Sequence, residues 1–285
     1  MTSQSSDPDS FVPAGADPVL WQLVETWRTA CDDFLVLARD LDEAEEAHLP
    51  TDLPGWDVRA NLAHTAHLEA VVAGAPEDTV EVPPVEHVRG PMGLYTEQGV
   101  LARRGRSLAA LADELEQAVT TRYDALLAQA PSDAAAPAPR TPGGAGWTVG
   151  VLLRNRPFDV WLHDQDVRRA TGRPGGYDSP AAAHTLEVLG QGLPFVVGKR
   201  VGPPPGTTVR VELTDAAGSW TATVGEDGRA TPGDPDAPAS ATLLLAAEDL
   251  VVLGAGRRGP ERTGARVEGD QDLGRRVLAS MAVTP

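Results

Sequence analysis

A chain of 285 residues contains one cysteine, Cys31, and one lysine, Lys199. A single cysteine excludes a disulfide within the chain. Cys31 also falls inside an apolar helical pattern, the setting of a small buried thiol. Positive charge is scarce: 24 Lys and Arg stand against 41 Asp and Glu, for a net charge of -17. Such a chain repels a phosphate backbone, and no basic stripe offsets the repulsion, so nucleic acid is not an expected partner. Long apolar runs are lacking too, with nothing near the 18 or so consecutive apolar residues that a membrane span needs. The first residues, MTSQSSDPDSF, have neither the basic start nor the apolar run of a secretory signal. The expectation is a soluble, cytoplasmic protein with no membrane partner.

What is present is a foldable composition, 41% apolar and 23% charged, long enough for one large domain or two small ones. Residues 1–15 read as a disordered lead-in. Asp17 and Pro18 then form a helix start, and Leu20, Leu23, Val24, Trp27, Cys31, Phe34, Leu35 and Leu41 continue at helical spacing to about Glu46. A second helix is predicted from about Trp56 to Val72, a third from about Gly93 to Ala128, and a fourth from about Thr148 to Thr171. Proline-rich loops separate them. Four helices joined by long connections predict a bundle over residues 16–178. Beyond it the pattern changes. VRVEL and SWTATV alternate around the turn TDAAG as a β-hairpin, while ATLLLAAEDLVVLG and RVEGDQDLGRRVLA each read as a strand followed by a helix. Residues 179–285 are therefore expected to form a small α+β domain.

The chemistry concentrates on two helices. His64 and His67 share the second, in NLAHTAHLEA, and Asp159 and His163 share the fourth, in FDVWLHDQDV. An acid and a histidine at i and i+4 project from one helix face, so both reach one divalent ion, and either His64 or His67 supplies a third ligand from the neighbouring helix. Three protein ligands leave a coordination position open, as in catalytic sites. The same spacing also describes an ordinary surface pair.

The segment PGWDVRANLAHTAHLEA, with His64 eight residues after Trp56, resembles the second-helix motif of the mycothiol-dependent maleylpyruvate isomerase family, which has a DinB-like four-helix bundle. The stretch from Arg156, R-x-x-D-x-x-x-H-x-x-D-V-R-R-A-T-G-R-P, is similar to that family's acid-x-x-x-His-x-x-Asp segment. ATLLLAAEDLVVLGAGRR to RVEGDQDLGRRVLA resembles its sterol-carrier-like C-terminal domain. The resemblance spans about Pro18 to Met281. An arginine-heavy, lysine-poor composition also fits the actinobacteria, which make mycothiol. The resemblance implies zinc, or another divalent metal, held by His64, Asp159 and His163, with Asp159 standing where the family has glutamate. It further implies that mycothiol supplies a thiol as cosubstrate. The metal lowers the pKa of this thiol for attack on a small electrophile, giving cis–trans isomerisation or S-transfer.

A carboxylate-bearing substrate needs a cationic partner, and Arg154, Arg156, Arg257 and Arg258 are the candidates. His67, outside the resemblance, is expected to line the pocket. Beyond the metal centre no further catalytic residue is assigned. The chain is expected to act as a monomer or homodimer. Two other readings remain open: thiol transfer or exchange in secondary-metabolite biosynthesis, and a metal-free binding protein that kept the fold.

Overall fold

The computed structural model describes residues 11–284. Residues 1–10 of the expected disordered lead-in lie outside the described residues. The chain divides into two compact units, Met1–Ala47 with Arg59–Val160, and His48–Val58 with Trp161–Pro285. Among the described residues no helix is long and apolar enough to cross a membrane.

The first unit is helical. Helix α1 (Pro18–Asp40) starts where the sequence predicts, with Asp17 accepting from the Val19 and Leu20 amides at 2.8 and 3.0 Å. It ends six residues earlier than its apolar period suggests. Asp42 takes the Ala44 and Glu45 amides while Glu46 takes the Asp42 amide, so side chains compete with the helical ladder. Helix α2 (Val58–Ala73) follows. The single helix expected over Gly93 to Ala128 is instead two, α3 (Gly90–Arg103) and α4 (Leu108–Gln129). Gly105 weakens the helix at the break, and Ser107 restarts it as an N-cap, accepting from the Ala110 amide at 3.1 Å. Helix α5 (Val149–Thr171) contains Pro157, which removes one helical hydrogen bond just before Asp159.

The second unit takes the end of α5 and adds helix α6 (Pro180–Gly190), the short α7 (Leu193–Phe195) with a π-helical turn over Val196–Val201, and a five-stranded sheet. Strands β1 (Thr208–Leu213) and β2 (Ser219–Val224) form the predicted antiparallel hairpin, with Val209 opposite Ala222. A short edge strand β3 (Ala230–Pro232) extends it beyond β2. On the other side β4 (Ala241–Leu245) runs parallel to β1, and β5 (Arg266–Gly269) pairs antiparallel with β4, giving the order β3-β2-β1-β4-β5. Alternation buries Val209, Val211, Ala222, Val224, Ala241, Leu243 and Leu245. Helices α8 (Ala247–Gly254) and α9 (Gln271–Leu278) complete the unit, α9 packing on β4 and β5. Gly190 admits the Trp220 indole so closely that a Cβ would overlap it, and the indole N–H donates to Glu187 at 2.9 Å.

Candidate metal centre

Helix α2 is buried over almost its whole circumference, so polar residues on it face protein whichever way they point. Asn61, His64, Thr65, His67 and Glu69 are each 3% exposed or less. Burying so much polarity is costly unless every group is matched by a partner. Some of the matching groups come from α5, where Arg156 meets Glu69 and Asp159 meets His64, and α5 buries further polar residues of its own, His163, Asp164, Gln165 and Asp166.

His64, Asp159 and His163 bring their ligand atoms within 4.8 Å of one another, and His64 Nε2 lies 3.6 Å from Asp159 Oδ2. The boundary between the two compact units falls inside α5, so the helix itself carries His163 one turn beyond Asp159. Two histidines and a carboxylate are a donor set suited to a divalent ion such as zinc. Both sides of the cluster are held by further charge. Asp166 Oδ2 lies 3.5 Å from His163 Nδ1, and an imidazole so oriented offers Nε2 as its ligand atom. The Trp56 ring packs on the His163 ring with centroids 5.9 Å apart, which gives the tryptophan of the PGW motif a structural role.

Asp166 is itself over-provided with cations. Arg257 grips it with Nε and Nη2, the shortest bond being 2.9 Å, and Arg169 also bonds it. Burial works against its charge, but Arg257, His163 and Arg169 outweigh burial and hold its carboxyl well below the usual range. Asp159 is steadied by Arg156, whose Nη2 donates to Oδ2 at 3.0 Å. The Nε of Arg156 donates to Glu69 Oε1 at 2.9 Å, and Arg122 Nη1 donates to Glu69 Oε2 at 2.9 Å. A chain of alternating charge therefore runs Arg122–Glu69–Arg156–Asp159. Burial opposes the Arg156 charge, yet Glu69 and Asp159 raise its pKa above the ordinary arginine value.

The structure thus gathers the three expected ligands and separates the other candidates. His67 belongs to a different cluster: its Nδ1 lies 3.0 Å from Asp78 Oδ2, which also accepts from Arg103 Nη1 at 2.6 Å, and the Tyr95 ring packs beside it at a tilt, with centroids 5.4 Å apart. Arg154 is exposed on α5. Arg156 is 1% exposed, with its guanidinium bonded to Glu69, Asp159 and Asn155. Arg257 is committed to Asp166 and the Ala255 carbonyl, and Arg258 bonds Asp52 at 2.8 Å. These four arginines do not converge on one point. Sequence reasoning missed Glu69, although an acid in the otherwise apolar stretch LEAVVA was a usable signal. It also missed Asp52, which meets Arg169, Arg258 and Arg262. Cys31 is fully buried, and burial first, then Glu69, push its thiol well above the ordinary range.

Helices α2 and α5 bring two histidines and an acid together in a helical fold that is followed by a small mixed sheet, a set of groups that could hold a metal ion. Residues 27–168, which contain all three clustered residues, match the mycothiol maleylpyruvate isomerase N-terminal domain, and the chain belongs to that family. Two solved structures share the fold: a mycothiol-dependent maleylpyruvate isomerase (TM-score 0.53) and its histidine-to-alanine mutant (TM-score 0.51). Each is 17% identical to this chain, with 86% of this chain and 92% of the other covered. No curated protein matches the chain.

Proposed function

We propose that the chain is a cytoplasmic, zinc-dependent enzyme that uses the thiol of mycothiol for cis–trans isomerisation of, or S-transfer to, a small electrophile of the maleylpyruvate kind. The observation that carries the proposal is the His64–Asp159–His163 cluster inside the segment that matches the isomerase family. These residues would hold the ion, and zinc bound there would supply a Lewis acid that keeps a coordinated thiol ionised near neutral pH.

The protein's own residues then have separable tasks. His64 and His163 offer neutral nitrogens, and Asp159 contributes the one negative charge of the set. Asp166 fixes the tautomer and ring plane of His163. Arg156 fixes the Asp159 carboxylate and withdraws part of its charge, which leaves the site more electrophilic than a free carboxylate would. Aspartate is one methylene shorter than glutamate, and the Arg156 bond compensates by removing the freedom of that shorter arm. Among the arginines, Arg156 bonds the ligand Asp159 directly, and Arg257 is one carboxylate away from His163 through Asp166. We assign the substrate's carboxylate to one of the candidate arginines, Arg154, Arg156, Arg257 or Arg258.

The test combines metal content and turnover. The untagged protein should carry about one zinc per chain by elemental mass spectrometry. It should isomerise maleylpyruvate only when mycothiol is added. Protein that takes up no metal after incubation with zinc at neutral pH would overturn the proposal. Full metal content without any mycothiol-dependent reaction would leave the metal site and remove the activity.

A further inference from the structure

The helical unit holds a cavity at the C-terminal end of α2, away from His64. A cleft of about 450 Å³ opens between the C-terminal ends of α2 and α4, the loop that follows α4, and the first turns of α5. That volume lies within the range of small-molecule sites, about 300–1,000 Å³. Its walls are largely apolar, formed by Val72, Leu126, Val149, Leu152 and Leu153.

At its floor lies Arg122, only 4% exposed. A guanidinium has five N–H donors, but Arg122 spends only Nη1, on Glu69, while its face rests on the Trp27 ring at 4.5 Å. Its Nε and Nη2 have no hydrogen-bond partner among the described residues. Glu69 is moreover shared with Arg156, so it neutralises Arg122 only in part. Arg122 thus offers a charged donor set beside an apolar wall, where an anionic ligand would gain a charge-assisted hydrogen bond with little competition from bulk water.

We propose that this cleft binds an amphipathic monocarboxylate, with its carboxylate on Arg122 and its hydrocarbon body against the aliphatic wall. A single negative charge fits the donors better than a phosphate. Arg140 also lines the cleft, but its Nη1 and Nη2 donate to the Gly74 and Ala75 carbonyls at 2.9 and 2.6 Å. The Val149 and Gly150 amides at the start of α5 are taken by the Ala136 and Ala134 carbonyls. Arg122 therefore remains as the buried anchor, with the exposed Arg140 a second cation held at the wall by its two carbonyl bonds. Asp133 lies at the exposed rim, where solvent screens its charge. None of the three metal ligands lines the cleft, so the proposal stands independently of the reaction at the metal.

The test uses decanoate, below its micellar concentration, and decanol of the same chain length, on the zinc-supplemented full chain. Decanoate should raise the melting temperature and titrate as a single saturable site by calorimetry, and decanol should do neither. Arg122→Gln should weaken decanoate binding by roughly tenfold or more, the worth of a charged hydrogen bond. Ala125→Trp, at an exposed lining position, should block the cleft while leaving the Arg122–Glu69 pair intact. No saturable decanoate binding overturns the proposal, as does equal stabilisation by decanol. Unchanged decanoate affinity in Ala125→Trp also overturns it, and this variant decides alone if Arg122→Gln fails to fold.

Discussion

Helix α2 is buried on nearly every side and the central strands β1 and β4 on one face, and the two are built in opposite ways. Apart from Thr208 at the start of β1, the strands bury apolar side chains, Val209, Val211, Ala241, Leu243 and Leu245. Burying these apolar side chains needs no partners, and each methylene withdrawn from water adds to stability. Helix α2 turns inward two histidines, a glutamate, an asparagine and a threonine, which call for polar partners: Thr65 finds the Asn61 carbonyl of its own helix, His67 finds Asp78 of the loop that follows, and Glu69 finds Arg122 and Arg156 on other helices. The first region is designed for stability and tolerates conservative change. The second gives up stability to hold charge at fixed positions, as a metal site requires.

Removing a metal ligand should separate the two regions most sharply. His64→Ala and His163→Ala should each abolish stoichiometric zinc binding and lower mycothiol-dependent turnover by about a hundredfold or more. Far-UV circular dichroism should remain that of the parent. A variant that kept full metal content would show the ligand set to be wrong.

Paired truncations, one in each region, should come next in size. Glu69→Ala leaves Arg122 and Arg156 buried without their shared counter-ion, a loss of about 3–5 kcal/mol. Leu243→Ala opens a cavity in the sheet unit and costs about 2–5 kcal/mol. Urea denaturation would therefore barely distinguish them. Zinc competition against a chromophoric chelator should, because Glu69 holds Arg156 and Arg156 holds Asp159, whereas Leu243 holds no polar group. Equal zinc affinity in the two variants would break the comparison.

Asp166→Asn is subtler. It keeps the shape but loses the charge behind His163, and zinc affinity should fall about 10–100-fold. The sign of its pH effect is also fixed. A carboxyl held below its unfolded-state pKa stabilises the fold above that value, and the stabilisation disappears as pH falls through the native pKa. Acid unfolding, followed from neutral pH to below about pH 4, should accordingly be shallower in Asp166→Asn than in the parent.

The sequence was most legible where the physics is local. Capping by Asp17, the i,i+4 pair Asp159 and His163, and the alternation of β1 and β2 each operate within a few residues. The His64 match needed a family motif, because nothing local distinguishes it from His67. What escaped depends on distant partners. Arg257 meets Asp166 across 91 residues, Arg156 meets Glu69 across 87, and β1 pairs in parallel with β4 although β2 and β3 intervene. Composition could mark these arginines as charged, and only the fold shows where the charge is spent. The break at Gly105–Ser107 was readable in principle, since glycine followed by a serine cap interrupts the apolar period.

His67 should give the smallest effect, and it tests whether every buried polar residue of α2 serves the metal. Its Nδ1 faces Asp78, and its ring packs so tightly on Gly99 that a Cβ there would overlap it. Burial first, and Arg103 second, lower its pKa, so the ring is neutral in the native state near pH 7. His67→Ala should change zinc affinity by no more than about threefold, since Asp78 keeps Arg103 as its counter-ion and no ligand is touched. Its signature lies in pH dependence. Below the ordinary histidine value of about 6.5, the unfolded chain takes up a proton that native His67 refuses, so stability falls on acidification until the lowered native pKa is reached. His67→Ala should remove that part of the fall, narrowing the melting-temperature difference between neutral and mildly acidic buffer. An unchanged difference would mean that the ring is charged in the native state. A large loss of zinc would place His67 with the metal cluster rather than with Asp78 and Arg103.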